Sequence, residues 1–401
     1  MMAEILFLAH RIPFPPDRGD KIRSWHILKY LAGLARVHLA CFADDEVDAT
    51  HLSALREALG GRLGEAHVEV RRTGKAVAGA RAMLEGKPVS LTLFDSPAMR
   101  RFVERVLTRP EVGTAFVFSG QMAQFVPDGA RQRLVMDFVD MDSAKFAAYA
   151  EQGGPFAAVH RREAKKLFDF ERSVAARAGT SLFVSVAEAA LFRGAAKLPG
   201  ADIRALHNGV DLAFYDPAAV TPVQAPHPLI VFTGQMDYAP NVDAVTSFAA
   251  EVLPRIPTAT FAIVGRNPAE AVKRLSGDRV IVTGAVPDVR GWIAAADVVA
   301  APLRIARGVQ NKVLEAMAMA RPVVASPAAF EGIDAEPGRD LVVAEGPDAQ
   351  ATAISRLLDD RRAADALGRA ARRRVEDGYQ WDASLAPLAG ILGMDERQAA
   401  A

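Results

Sequence analysis

Alternation is the feature that most constrains this chain. Short runs of β-branched and aromatic residues recur between helix-length segments along almost all of the 401 residues. That is the mark of parallel α/β units, because each parallel strand needs a crossover, usually a helix, before the next. In the first half the runs at 4–9, 37–42, 67–70, 114–119, 133–138 and 182–186 are predicted strands. Over 214–228, FYDPAAVTPVQAPHP, the pattern stops and prolines accumulate, which reads as a linker. The alternation restarts at 229–234, 260–265, 280–284, 298–303, 322–326 and 341–344. Three of these runs end in glycine, and doubly wound sheets take ligands at the carboxyl ends of their strands. Half of the residues are apolar, enough for two cores of ordinary size. The expectation is α/β: two Rossmann-like doubly wound domains facing one central cleft.

Charge and cysteine content narrow the function classes. The formal net charge is zero, so strong non-specific attraction to nucleic acid is excluded and no nucleic-acid partner is expected. Through Val210 there are 29 basic and 24 acidic residues, and beyond it 19 and 24, so the halves carry +5 and −5. One cysteine, Cys41, rules out an internal disulfide. No Cys/His cluster has zinc spacing, so no metal is expected and a reducing cytoplasm fits. The opening apolar run ends at Ala9 and is followed by charge, which reads as a first strand and not as a signal peptide. No stretch approaches the roughly 20 apolar residues of a membrane span. Any membrane contact is therefore peripheral.

The chemistry concentrates in RGVQNKVLEAMAMARPVV, 307–324. Gly308 permits a tight approach, and Gln310 and Asn311 fall near a helix start, where unpaired N–H groups and the positive dipole end favour an anion. Lys312 puts a full cation at the end of the helix that disfavours one, which implies an anionic partner. Glu315, at i+3, shares its face. The alternative is a solvated Lys–Glu pair, against which stands the small, apolar character of VLEAMAMA.

The same segment resembles the donor-binding signature of GT-B glycosyltransferases of the large retaining family 4 (group 1), K-x-x-E-A-M-A-x-G-x-P-V-V. Lys312, Glu315, Ala316, Met317, Ala318, Pro322, Val323 and Val324 are in register, with Arg321 taken as standing at the glycine. HNGVDLAFYDP (207–217) is similar to the family's interdomain segment, VPDVRGWIAAADVVAAPL (286–303) to its base-recognition loop and following strand, and GYQWD (378–382) to the tail that crosses back. The resemblance implies an acceptor-side domain over 1–210, a nucleotide-sugar donor domain over 211–380, and a crossing helix and tail over 381–401. HRIPFPPDRGDKIRSWHILKYLA (10–32) resembles the glycine-bearing loop over the reacting sugar and acceptor, which places Arg18, Gly19 and Asp20 on the acceptor side; a glycine used only for turn geometry is the alternative. DFVDMDSAKFAAYA (137–150) and TGQMDYAPNVDAV (233–245) are similar to a bacterial subgroup that accompanies exosortase and PEP-CTERM exopolysaccharide systems.

By that resemblance Lys312 and the helix start neutralise the donor diphosphate, Glu315 accepts from the ribose hydroxyls, and Val286 and Asp288 lie where the base is read. Gly234, Gln235 and Gly265 end strands at the nucleotide. No cofactor or metal is implied, the cationic helix start replacing magnesium; the D-x-D of the other main glycosyltransferase fold has one literal match, Asp140 to Asp142. Asp140 is an acceptor-facing candidate, with helix capping as the alternative for it, Asp137 and Asp142. Where the family usually carries an arginine after the first strand of the second domain and a lysine soon after, this chain has Gln235 and, near Pro240 and Asn241, no cation. Arg307 stands where another signature glutamate would, so it is expected to reach the diphosphate beside Lys312. The implied partners are a nucleotide-sugar donor and a saccharide or lipid-linked acceptor. A nucleotide-sugar 2-epimerase of the same fold and a non-catalytic nucleotide-sugar sensor are the rivals. Finally, 160–178 is basic with Leu167, Phe168 and Phe170 interleaved, compatible with an anionic membrane surface or with a solvated helix docked by its apolar stripe.

Overall fold

The computed structural model describes residues 4–151, 153–306 and 309–394. The chain forms two compact units: one runs up to His207 and takes in the segment from Leu385 onward, and the other spans Asn208–Ser384. In the first, β1 (Glu4–Ala9), β2 (Val37–Ala43), β3 (Leu63–Val70), β4 (Val112–Phe118), β5 (Arg133–Val139), β6 (Thr180–Phe183) and β7 (Ile203–Ala205) form one sheet in the order β3-β2-β1-β4-β5-β6-β7. Every pairing is parallel. The central strand β1 is buried from Ile5 to Ala9, as a strand covered by helices on both faces must be. Leu6 and Leu8 point into the cluster that holds Phe42, Met136 and Phe138, and Phe7 stacks on Phe116 on the other face.

The second unit repeats the plan with β8 (Leu229–Thr233), β9 (Thr260–Val264), β10 (Val280–Gly284), β11 (Val298–Ala301), β12 (Val323–Ala325) and β13 (Val342–Val343), in the order β10-β9-β8-β11-β12-β13. Its pairings are parallel as well. In each sheet the winding reverses beside the first strand, between β1 and β4 and between β8 and β11. Ligands of such sheets bind outside the carboxyl ends at that reversal.

Three local expectations are corrected. The run 182–186 is a strand only to Phe183, because the Ser185 hydroxyl accepts from Glu188 N and caps a helix that starts at Val186, a Ser-x-x-Glu start. The strand expected at 67–70 begins at Leu63, and β7 is an addition of three residues. The proline-rich 214–228 is part of the second unit and not a free linker: Val223 N donates to Gly291 O, and a Cβ on Gly291 would stand 3.1 Å from Val223 Cγ1.

Candidate functional site

In the second unit the chain leaves β11 at the winding reversal and enters the helix Asn311–Ala318. Val313, Leu314, Met317 and their alanine neighbours bury one face of it, which holds its start against the carboxyl edge of the sheet. Gln310 precedes the helix in extended conformation and makes no capping bond. Lys312 Nζ lies over the Phe232 ring, 4.3 Å from its centroid, and donates to Asn241 Oδ1 at 2.6 Å. Burial pushes the Lys312 amine down to about 7, and Glu315 pulls the other way. Burial likewise raises the Glu315 carboxyl, opposed by a hydrogen bond from the Tyr215 hydroxyl and by Lys312. A solvated Lys–Glu pair is thereby excluded: both side chains are partly buried, with neutral groups as their nearest partners.

The two strand-end glycines are required by space. A Cβ on Gly265 would stand 1.6 Å from Gly234 O, and a Cβ on Gly234 would stand 2.7 Å from Asn241 Nδ2 and 3.3 Å from Lys312 Nζ. Gln235 accepts from Asn241 Nδ2 through its carbonyl at 2.9 Å, and its side chain donates to Asp237. Asn311 accepts from Asn208 Nδ2 at 3.0 Å. Gly234, Gln235, Gly265, Asn311, Lys312 and Glu315 therefore gather in one place. Val286 lies in the loop after β10, partly buried. Asp288 is engaged by Arg290 through bonds of 3.0 and 2.7 Å, which holds its carboxyl low. Arg290 in turn sits 3.9 Å above the Phe214 ring and donates to Phe214 O. Arg307 and Gly308 lie outside the described residues. One register correction follows from counting: the motif's glycine falls on Ala320, not Arg321, and Ala320 adopts the left-handed φ of 53° that glycine would take freely.

At the carboxyl edge of the first sheet, Arg18 precedes and Gly19 begins the helix Gly19–Leu34. Asp20 receives Arg11 at 2.7 Å and lies 3.1 Å from His10 Nε2 and 3.0 Å from Arg18 Nε; these partners hold its carboxyl far below the usual range. Arg11 and Arg18 also bind Asp44, at 3.0 and 2.8 Å. One turn on, Arg23 forms a buried pair with Asp137 at 2.9 and 3.2 Å. Next to Asp137, Val139 is left-handed with φ 70°, and at the end of β4 so is Ser119 with φ 75°. A β-branched residue in that region is strained, and such strain concentrates at functional edges.

Capping does not explain the aspartates here. The helix Asp142–Glu151 is held at its start by distant glutamates: Glu171 accepts from Ser143 N at 3.1 Å and from its hydroxyl at 2.5 Å, and Glu188 accepts from Met141 N at 3.0 Å. Asp140 Oδ1 is buried with no hydrogen-bond partner among the described residues. Burial, then Glu188 and Asp142, raise its carboxyl to about 7. Among the described residues no three His, Cys, Asp or Glu side chains gather as metal ligands, and no helix is long and apolar enough to cross a membrane. In 160–178, Leu167 is buried and Phe168 and Phe170 pack partly against the first core, so the interleaved aromatics belong to the interior. Tyr215, Asn241, Arg23, Glu171 and Glu188 are site residues that the sequence did not single out.

Residues 227–360 match the family described as Glycosyl transferases group 1. GDP-mannose-dependent alpha-(1-6)-phosphatidylinositol monomannoside mannosyltransferases are similar in part: that of Mycolicibacterium smegmatis is 31% identical over 41% of this chain and 47% of its own length, and that of Mycobacterium tuberculosis H37Rv is 28% identical over 49% and 57%. The chain thus spans about half the length of the curated relatives it matches. Among solved structures, Anabaena HepE in complex with UDP and glucose superposes with a TM-score of 0.68 at 18% identity, covering 98% of this chain and 99% of that one. Sucrose-phosphate synthase from Thermosynechococcus elongatus gives 0.72 at 17% over the full length of both chains, and WaaG, involved in lipopolysaccharide biosynthesis, 0.65 at 14% over 97% and 100%. The chain therefore has the GT-B fold, and the stretch of it that is similar to group 1 glycosyl transferases, 227–360, lies in its second unit.

Proposed function

We propose that this chain is a retaining hexosyltransferase that moves a sugar from a nucleotide-diphosphate sugar to a saccharide or lipid-linked acceptor, in cell-surface glycan or exopolysaccharide synthesis at the cytoplasmic side of a membrane. The observation that carries this reading is the partly buried Lys312–Glu315 pair at a helix start on the winding reversal of the second sheet. As the bond between the sugar and the diphosphate breaks, the leaving diphosphate gains negative charge. Lys312 and the N–H groups of the helix start are aimed where that charge develops. The leaving phosphate takes the proton of the acceptor hydroxyl, so no enzyme base is obligatory. Asp140, held near neutrality, is the side chain best suited to assist. Glu315, oriented by Tyr215, takes the ribose hydroxyls; Val286 and the Asp288–Arg290 pair stand at the base. Arg18, Gly19 and Asp20 serve the acceptor, and Arg307 assists Lys312. No metal is required in this scheme. The mannosyltransferase relatives and the UDP complex of HepE support a nucleotide-sugar donor in general; the exosortase-associated subgroup rests on the sequence resemblance.

The test is a thermal-shift panel of UDP-, GDP-, ADP- and TDP-sugars with EDTA present, followed by release of nucleotide diphosphate in the presence of a crude lipid extract. A donor at a hundredfold excess over its Kd stabilises the folded state by about 2.7 kcal/mol. Binding by no nucleotide sugar overturns the reading. Binding without release, with extract present, makes the chain a sensor, and isomerisation of the free sugar nucleotide makes it an epimerase.

A further inference from the structure

The helix Asn311–Ala318, which carries Lys312 and Glu315, is held from outside by the segment 208–215. Asn208 bonds Asn311 at its first residue, and the Tyr215 hydroxyl bonds Glu315 in its middle. Burial, and then Glu315, raise the Tyr215 phenol well above its ordinary value, so the phenol stays a donor. Two backbone groups fix Tyr215 itself. Its N–H turns back to Asp211 O at 2.8 Å, while its carbonyl reaches a residue 157 positions away.

That residue is Arg372, in the helix Arg361–Gly378. Gly368 lets this helix come close: a Cβ there would stand 2.1 Å from Ala320 O, in the turn that follows the Lys312 helix. One turn on and on the same face, Arg372 Nη1 donates to Tyr215 O at 2.7 Å and to Ala318 O at 2.6 Å. Its Nε donates to Glu376 at 2.7 Å, which fixes the plane of the guanidinium. The Ala318 carbonyl needs such a donor. It belongs to the last residue of its helix, and the residue four places on, which would donate in a continuing helix, is Pro322, which has no N–H. One nitrogen of Arg372 therefore replaces a missing backbone donor and anchors Tyr215 at the same time.

We propose that Arg372 is a positioning residue for nucleotide recognition: by fixing the Tyr215 backbone against the end of the Lys312 helix, it holds the phenol on Glu315 so that the carboxylate keeps acceptor sites turned to the ribose hydroxyls. A phenol has one proton to give and a carboxylate about four places to take one, so the bond from Tyr215 orients Glu315 without filling it. The inference rests on the reading of Glu315 as the ribose contact. An arginine that only ties two segments together would lower stability and leave the choice of ligand alone. One that acts through Tyr215 and Glu315 also changes how well ribose is told from deoxyribose.

The test titrates the full chain calorimetrically with UDP, GDP and ADP, and with the 2′-deoxy form of the tightest binder. Wild type is expected to prefer the ribose form. Arg372→Ala should weaken that form about tenfold, the size of a lost hydrogen bond to a charged group, and the deoxy form less, so that the preference narrows severalfold. Tyr215→Phe should do the same, and the two substitutions together no more than either alone, as for residues in one chain of contacts. Arg372→Lys should recover part of the loss, since it keeps the charge but not the fork that bonds Glu376; it replaces Arg372→Ala in the comparison if the alanine variant melts without cooperativity. Arg374→Ala removes a bond of the same kind from the same helix, to Asp334 O at 2.6 Å, and should move the melting temperature but neither affinity nor preference. A preference that the Arg372 variants leave intact, or losses that add to those of Tyr215→Phe, overturns the inference alone. Absence of wild-type binding, or of a wild-type preference for ribose, overturns the ribose reading of Glu315 and the inference with it.

Discussion

At the carboxyl edge of the first sheet the charges answer one another, His10, Arg11 and Arg18 around Asp20, Arg11 and Arg18 on Asp44, and Arg23 on Asp137. At the same edge of the second sheet Lys312 faces an amide and an aromatic ring, and Glu315 a phenol. Around Asp20, Asp44 and Asp137 the first edge is already neutralised and its geometry is set by the protein, with Asp140 the exception, buried without a hydrogen-bond partner among the described residues. The other keeps a cation and a carboxylate in surroundings that disfavour their charged forms, so an anion arriving at Lys312 supplies compensation that the chain withholds. The difference separates a structural use of charge from a ligand-directed one, and substitution at each edge tests it.

The largest effect is expected at the first edge. Arg23→Ala leaves the Asp137 carboxylate buried without a countercharge, held only by Val139 N at 3.0 Å, and breaking a buried pair on one side costs about 3–5 kcal/mol. Urea unfolding followed by a probe in the first unit should show that loss, and Arg23→Met with Asp137→Leu should recover much of it. A loss confined to turnover, with stability unchanged, would place this pair among the ligand-directed charges and dissolve the contrast.

At the second edge the order of effects reverses. Lys312→Ala should leave the melting temperature near wild type and lower kcat by roughly 10²-fold, as for loss of one group that stabilises developing negative charge. Donor affinity should weaken as pH rises above about 7, where the free amine loses its proton. Lys312→Arg should remove that dependence, since a guanidinium stays charged throughout. A flat pH profile in the wild type would mean that the amine keeps its proton and that burial there is weaker than the geometry implies. Glu315→Ala should raise KM with kcat nearly unchanged, because a ribose contact is made equally in ground and transition states.

The contrast also explains what could be read from the chain alone. Lys312 and Glu315 were legible because two charges interrupt an apolar helix within a few residues, and Gly234 and Gly265 because they end apolar strands. Asn241 and Tyr215, which orient that pair, stand 71 and 100 positions away, and nothing local marks them. Arg23, Glu171 and Glu188 look like ordinary helix-surface charges; burial by neighbouring elements gives them their role. The strand that ends at Phe183 was overrun because alternation continues through Ser185, although Ser185 and Glu188 already spelled a helix start. In 214–228 composition marked a linker, but prolines restrict a segment without freeing it, and this one packs on Gly291.

A smaller effect concerns the glutamates behind the first edge. Burial raises Glu171 to about 8, against its bonds from Ser143. A carboxyl whose folded pKa lies above its unfolded value favours the folded state fully below the unfolded pKa, and that contribution is lost as pH rises through the folded one. Stability of the first unit should therefore fall steadily as the pH rises from about 5 to about 8. Glu171→Gln keeps an acceptor for Ser143 without the charge and should flatten the slope. An unchanged slope in that variant would move the titration to Asp140, which shares the same surroundings.

The smallest effect expected lies at Ala320, past the carboxyl end of the helix that Lys312 helps to begin. Its φ of 53° puts a Cβ in the left-handed region, at a cost of about 1–2 kcal/mol relative to right-handed backbone. Glycine removes that cost but adds unfolded-state entropy worth roughly 0.5–1 kcal/mol. Ala320→Gly should then stabilise the second unit by about 0.5 kcal/mol, a small rise in its melting temperature. Donor affinity should not move, because Lys312 and Glu315 belong to helix turns anchored by Val313, Leu314 and Met317. If the substitution instead weakens donor binding while stabilising the fold, the left-handed alanine is holding the helix start in a strained position. Charge would then not be the only quantity that the second edge keeps in reserve for its ligand.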